Sequence, residues 1–135
     1  VILDKNLEFS DAQAETTQAA HDSTTVLDLG VAAPNIGAGT PVWLVIRVNE
    51  AVTSDGSATV TFDVQDSANN SAFASIGLLT GAIAKATLVA GYVVMKVPLP
   101  ASIRRYVKIV YTIGTAALTA GKFDAFLTLD PEVAA

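Results

Sequence analysis

From Pro41 onward, apolar and polar residues alternate in short runs separated by turn residues, the period of strands that bury one face. In "VWLVIRVNE", Val42, Leu44, Ile46 and Val48 fall on one side, and Arg47 and Asn49 on the other. "SDGS" then supplies Asp-Gly for a tight connection. "ATVTFDVQD" repeats the alternation with Ala58, Val60, Phe62 and Val64 on its apolar side, so the two runs predict a hairpin. "FASIGLLTGAIA" is apolar but rich in glycine and alanine; its type is ambiguous, and it is read as a strand with a bend. "GYVVMKVPL" (Val93, Met95, Val97, Leu99), "RYVKIVYTIG" (Val107, Ile109, Tyr111, Ile113) and "KFDAFLTLD" (Phe123, Ala125, Leu127, Leu129) are firmer strands, and a short one in "TVLDL" precedes them all. About eight strands with almost no helix signal predict an all-β, single-domain sandwich, and the unequal loops fit a jelly roll. The absence of a repeat of fixed period argues against a propeller or solenoid.

The opening "VILDKNLEFSDAQAETTQ" breaks this pattern. Ile2, Leu3, Leu7 and Phe9 are apolar, but "SDAQAETTQAAHDST" follows with neither helical nor strand period. The reading is an extended N-terminal arm and linker over residues 1–24, ahead of a sandwich over residues 25–135. On that reading a chain starting at Gln13 folds with nearly unchanged stability.

Composition adds bounds. The chain has 135 residues, one domain's worth, with 51% hydrophobic residues and a mean hydropathy of +0.47. That is rich for a small protein, and it suggests that part of the apolar surface, on faces such as Tyr92, Val94 and Phe126, meets other chains. The best candidate for a membrane span, "ATLVAGYVVMKVPL", is cut by Lys96 and Pro98 and reads as strand. Asp4 and Glu8 stand where a secretory signal would carry bases and an apolar core, so no export route is expected. With no cysteine, disulfides and thiolate metal sites are excluded. The net charge of −5 is uneven: residues 1–67 hold ten acids and two bases, residues 68–135 three acids and six bases. Such asymmetry suits contact with copies of the chain or with another protein, or arises by chance on a solvated surface; it does not make the basic face that duplex nucleic acid requires.

No motif amounts to an active site. His21, the single histidine, lies in "QAAHDSTT" and reads as an exposed loop residue rather than a triad member, general base or metal ligand. "GTAALTAGKF" has six residues between its first glycine and Gly-Lys, lacks the following Ser or Thr, and continues into a strand, so it reads as a hairpin loop and not a phosphate loop. Nearly all the carboxylates fall on outward faces or loops, where solvation is the default. Trp43 is read as packing on a neighbouring element or subunit. The expectation is therefore no enzyme, no catalytic residue, no cofactor and no metal. "SIRRY", with Lys108, is the one concentrated basic spot. Arg104, Arg105 and Lys108 could stack with single-stranded nucleic acid, but docking on carboxylates of another chain is the more economical reading.

"ILDKNLEFSDAQA", "DLG" at 28–30, "PVWLVIRV", "LVAGYVVMKVPLP", "RRYVKIVYTIGT" and "TAGKFDAFLTLD" together resemble the capsid cement proteins of tailed bacteriophages, of the type found on the Bordetella phage capsid. The likeness spans nearly the whole chain and is weakest between about residues 53 and 80. It implies a jelly-roll virion protein, assembled in the bacterial cytoplasm, that sits outside an icosahedral shell and ties neighbouring major capsid subunits together. It also implies a homodimer or other homo-oligomer, with no nucleic-acid or membrane partner. Ile2, Leu3, Leu7 and Phe9 would then anchor on a neighbouring chain, as in strand addition, or else cover this domain's own sheet edge. The other binding class is a lectin-like or adhesion jelly roll for a glycan or host-surface ligand.

Overall fold

The structure, a computed structural model, describes residues 8–30, 42–100 and 103–128. Its strands are β1 (Glu8–Ala14), β2 (Ala20–Asp22), β3 (Leu27–Asp28), β4 (Trp43–Thr53), β5 (Thr59–Ser67), β6 (Ala74–Leu79), β7 (Ile83–Ala84), β8 (Val93–Pro98), β9 (Tyr106–Gly114) and β10 (Ala120–Thr128). One antiparallel sheet runs β1-β10-β4-β8; the other runs β2-β9-β5-β6, with β3 also on β9 and β7 also on β5. Taking β2 with β3, and β6 with β7, as interrupted single strands leaves eight, ordered 1-8-3-6 and 2-7-4-5 along the chain. That is the order of a jelly roll.

The alternating runs bury the faces their sequence marks. Leu44, Ile46 and Val48 of β4, Val60, Phe62 and Val64 of β5, Val107, Ile109, Tyr111 and Ile113 of β9, and Phe123, Ala125 and Leu127 of β10 share one core between the sheets. At its centre Phe62 meets the rings of Tyr111 and Phe123 edge-on at 5.6 and 5.3 Å, while Tyr111 stacks on Phe123 at 5.2 Å, so aromatic contacts tie one sheet to the other. Gly121 of β10 marks a close approach: its φ is +149°, and a Cβ there would lie 3.0 Å from Val52 Cγ2. The ambiguous "FASIGLLTGAIA" is indeed strand with an interruption, β6 and β7 separated at residues 80–82.

Two connections differ from expectation. β4 and β5 do not form a hairpin: β4 pairs with β10 and β8, and β5 with β9, β6 and β7. The "SDGS" segment instead carries the chain between sheets, with Ser54 Oγ donating to Ala117 O at 2.6 Å. β9 and β10 likewise lie in different sheets, so residues 115–119 also cross the sandwich instead of closing a hairpin. Alternation marks which face is buried but not which strand is the neighbour, and a short turn serves either connection.

Candidate interaction surface

The N-terminal stretch belongs to the sandwich. β1 pairs with β10 through two register shifts, and Phe9 is fully buried in the core. Ser10, also buried, hydrogen-bonds through Oγ to Tyr111 OH at 2.7 Å and donates to Gln13 Oε1 at 2.6 Å. Thr24 donates to the same Oε1 from its backbone N, at 2.7 Å, and from its hydroxyl, at 3.0 Å. Ala12, with φ of 52°, donates its N–H to Asp124 Oδ1 at 2.6 Å. The other oxygen of Asp124 accepts from Arg47 Nε at 3.2 Å and Asn49 Nδ2 at 3.1 Å. Burial pushes the Tyr111 phenol well above its usual pKa, although its bond with Ser10 works the other way. Phe9 is therefore a core residue and not an anchor on a free arm, and the expected boundary at residue 24 falls inside the folded body. Ile2, Leu3 and Leu7 lie outside the described residues.

The basic spot also finds its carboxylates at home. Asp66, 6% exposed, accepts from Arg104 N, Nε and Nη2 at 2.9, 3.0 and 2.8 Å. Arg105 makes a two-pronged pair with Asp28 at 2.7 and 3.0 Å, and Lys108 Nζ sits 3.0 Å from Asp22 Oδ1 and 4.4 Å from the Phe73 ring centroid. The bonds from Arg105, with the N–H of Gly30, hold the Asp28 carboxyl below its ordinary pKa; those with Asp66 raise the Arg104 guanidinium further. The expectation that these three cations await another chain's acids is corrected: acids of the first half of the sequence meet them within the molecule. Three of the ten acids of residues 1–67 thus meet three of the six bases of residues 68–135.

Tyr92, Val94 and Phe126 do not make the outward apolar face expected of them. Tyr92 and Val94 pack partly buried against the core, and Phe126 is 1% exposed with the Arg47 guanidinium 5.5 Å from its ring centroid. Exposed apolar area lies elsewhere. Among the described residues the exposed large hydrophobics are Leu79, at 55%, and Val89, at 53%. Leu79 ends β6, the edge strand beside β5. Val89 lies in residues 88–92, where Leu88 O, Tyr92 O and Gly91 N bond to Val52 N, Val48 N and Val48 O, lengthening the other sheet beyond β8. β6 and β8 end their sheets on the side opposite β1 and β2, so both residues belong to one flank of the sandwich. Alanines 74, 82, 84, 86 and 90 and glycines 77, 81 and 91 are exposed along the same stretch. From Ser67 to Phe123 the chain carries no Asp or Glu. That acid-free run was the signal available in the sequence. It is easily passed over, because small residues and glycines blur the strand pattern there.

Two grooves among the described residues are small. The grooves at Glu8–Asp11 with Thr24 and Thr25, and at Arg47, Asn49, Gly91 and Asp124, hold about 170 and 160 Å³, against roughly 300 Å³ or more for a small-molecule site. No cluster of three or more metal-ligating side chains occurs among the described residues. Trp43 is half-buried at the start of β4, in register with Pro98 and Thr128.

Two antiparallel sheets in jelly-roll order define an all-β jelly-roll protein. The chain belongs to the Bbp16 family, a Bordetella phage protein family, whose model matches residues 9–127. That match opens at Phe9, inside β1, and closes inside β10, so the family's unit includes the N-terminal strand. None of the curated proteins matches the chain.

Proposed function

We propose that this chain is a non-enzymatic structural protein of the phage particle, one that binds the outside of the icosahedral capsid and cements neighbouring major capsid subunits. The observation that carries the reading is the pair of exposed apolar side chains, Leu79 and Val89, set among small exposed residues, on a protein of a phage family. Exposed apolar side chains are what the centre of a protein contact requires. The capsid subunit is the proposed occupant, with Ile2, Leu3 and Leu7 ahead of β1 as further contacts to a neighbouring chain and self-association as a second use of the apolar surface. A glycan-binding role would call for an open aromatic platform, whereas Phe9, Phe62, Tyr111, Phe123 and Phe126 are buried and Trp43, Phe73, Tyr92 and Tyr106 are half-buried.

The test is co-sedimentation of the folded protein with phage shells that lack it. The native chain is expected to pellet with the shells. Leu79→Asp combined with Val89→Asp should weaken binding by about tenfold or more, because each places a charge in an apolar contact. Its melting temperature should hardly change, since both side chains are more than half exposed. Undiminished binding by the double variant removes this flank from the contact; no pelleting of the native chain removes the cementing role.

A further inference from the structure

His21 does not sit in an open loop. It lies in β2 opposite Tyr111 of β9, with its side chain 18% exposed. Its Nδ1 is 3.1 Å from Glu15 Oε2, and its Nε2 is 2.7 Å from the carbonyl oxygen of Thr17. Both of these oxygens are acceptors, and a neutral imidazole carries one N–H only; the ring can donate to both of them only as the imidazolium.

What the ring spans gives this consequence. Residues 15–19 carry the chain from β1, in one sheet, to β2, at the edge of the other. Leu118 N donates to Thr16 O at 2.8 Å and Ile113 N to Ala19 O at 2.9 Å, which fixes the crossover from the β9 side. His21 fixes it from within, joining Glu15 to Thr17. Glu15 continues inward, since its Oε1 accepts from Gln13 Nε2 at 2.9 Å, and Gln13 is bonded in turn to Ser10 and Thr24. The other titratable groups nearby are Asp22 on the same strand, already matched by Lys108 of β9, and the buried, neutral Tyr111 phenol.

We propose that His21 is a protonation-dependent clasp on the crossover between the two sheets: the imidazolium holds Glu15 and Thr17 together, and the neutral ring releases one of them. The contact is complete only while the ring is charged and Glu15 is a carboxylate, and a neutral ring cannot donate to both oxygens. The sandwich itself stays folded, because the two backbone bonds to β9 and the following loop do not titrate. The clasp rests on this geometry alone and stands apart from the capsid reading.

Hydrogen exchange on the full chain tests it, at about pH 5.5 and about pH 8, the range across which histidines change charge, with rates normalised for intrinsic chemistry. Residues 15–22 are expected to exchange about tenfold faster at the higher pH, the size of one charge-assisted hydrogen bond, while β5 and β9 keep their protection. His21→Gln, which cannot titrate, should show no such difference. Equal normalised exchange in the native chain at both pH values overturns the clasp, as does the same difference persisting in His21→Gln. Should that variant fold poorly, nitrogen NMR of the native ring decides: two hydrogen-bonded N–H groups are expected at the lower pH, and a single one overturns the proposal.

Discussion

A chain that begins at Gln13 is expected to lose its fold, melting at least about 10 °C below the full chain if it folds at all. The deletion takes away most of β1, including Phe9, which is fully buried among residues of both sheets. Truncating a buried phenylalanine costs about 3 to 5 kcal/mol by itself, against a total stability of roughly 5 to 15 kcal/mol for a domain. It also removes the Ser10 hydroxyl bonded to the buried Tyr111 phenol and one of the three donors to Asp124, the Ala12 N–H. Phe9→Ala should reproduce a large part of the loss. Thermal unfolding followed by circular dichroism checks both, and a truncated chain that melts within a few degrees of the intact one would show that β1 is dispensable.

Asp124→Ala carries the second large effect. The carboxylate is 5% exposed and accepts three hydrogen bonds, from Ala12 N, Arg47 Nε and Asn49 Nδ2. Through them it fastens the bulge of β1 to β10 and β4 at once. Removing it leaves the Arg47 cation, 25% exposed, without its counter-charge beside Phe126. A broken buried pair costs about 3 to 5 kcal/mol; the partial exposure of Arg47 puts the expected loss near the lower end, about 3 kcal/mol. Urea unfolding reads it as a lower midpoint with an unchanged slope. A loss below about 1 kcal/mol would mean that water replaces the carboxylate as acceptor.

The fold class was legible because β4, β5, β9 and β10 each carry an alternating run and bury the face it marks, although β4, β9 and β10 also bury Val45, Val110 and Phe126 on the other face. Partnership was not legible. Ser54 to Gly56 has the chemistry of a hairpin turn and yet switches sheets, and nothing in a local pattern separates the two outcomes. β1 was hidden for a different reason. Its register shifts bring the adjacent residues Phe9 and Ser10 both under cover, and Ala12 takes a left-handed backbone, so alternation fails just where the strand is bonded most closely. Polar Ser10 and Gln13 read as solvated; each is buried because the other, with Tyr111 and Thr24, satisfies it. The basic spot misled in the same way. A cluster of cations shows in a sequence, but Asp66, Asp28 and Asp22 are distant along the chain from the side chains they neutralise. The exposed Leu79 and Val89 were the least conspicuous, since the small residues around them blur the strand pattern.

Cryo-electron microscopy of phage shells decorated with the folded protein tests the cementing role most directly. The expected map shows two-layered β density on the outer surface, bridging adjacent capsid subunits, with the Leu79 and Val89 flank in the contact. Shells without added density, or density whose Leu79 and Val89 flank faces solvent, would contradict it.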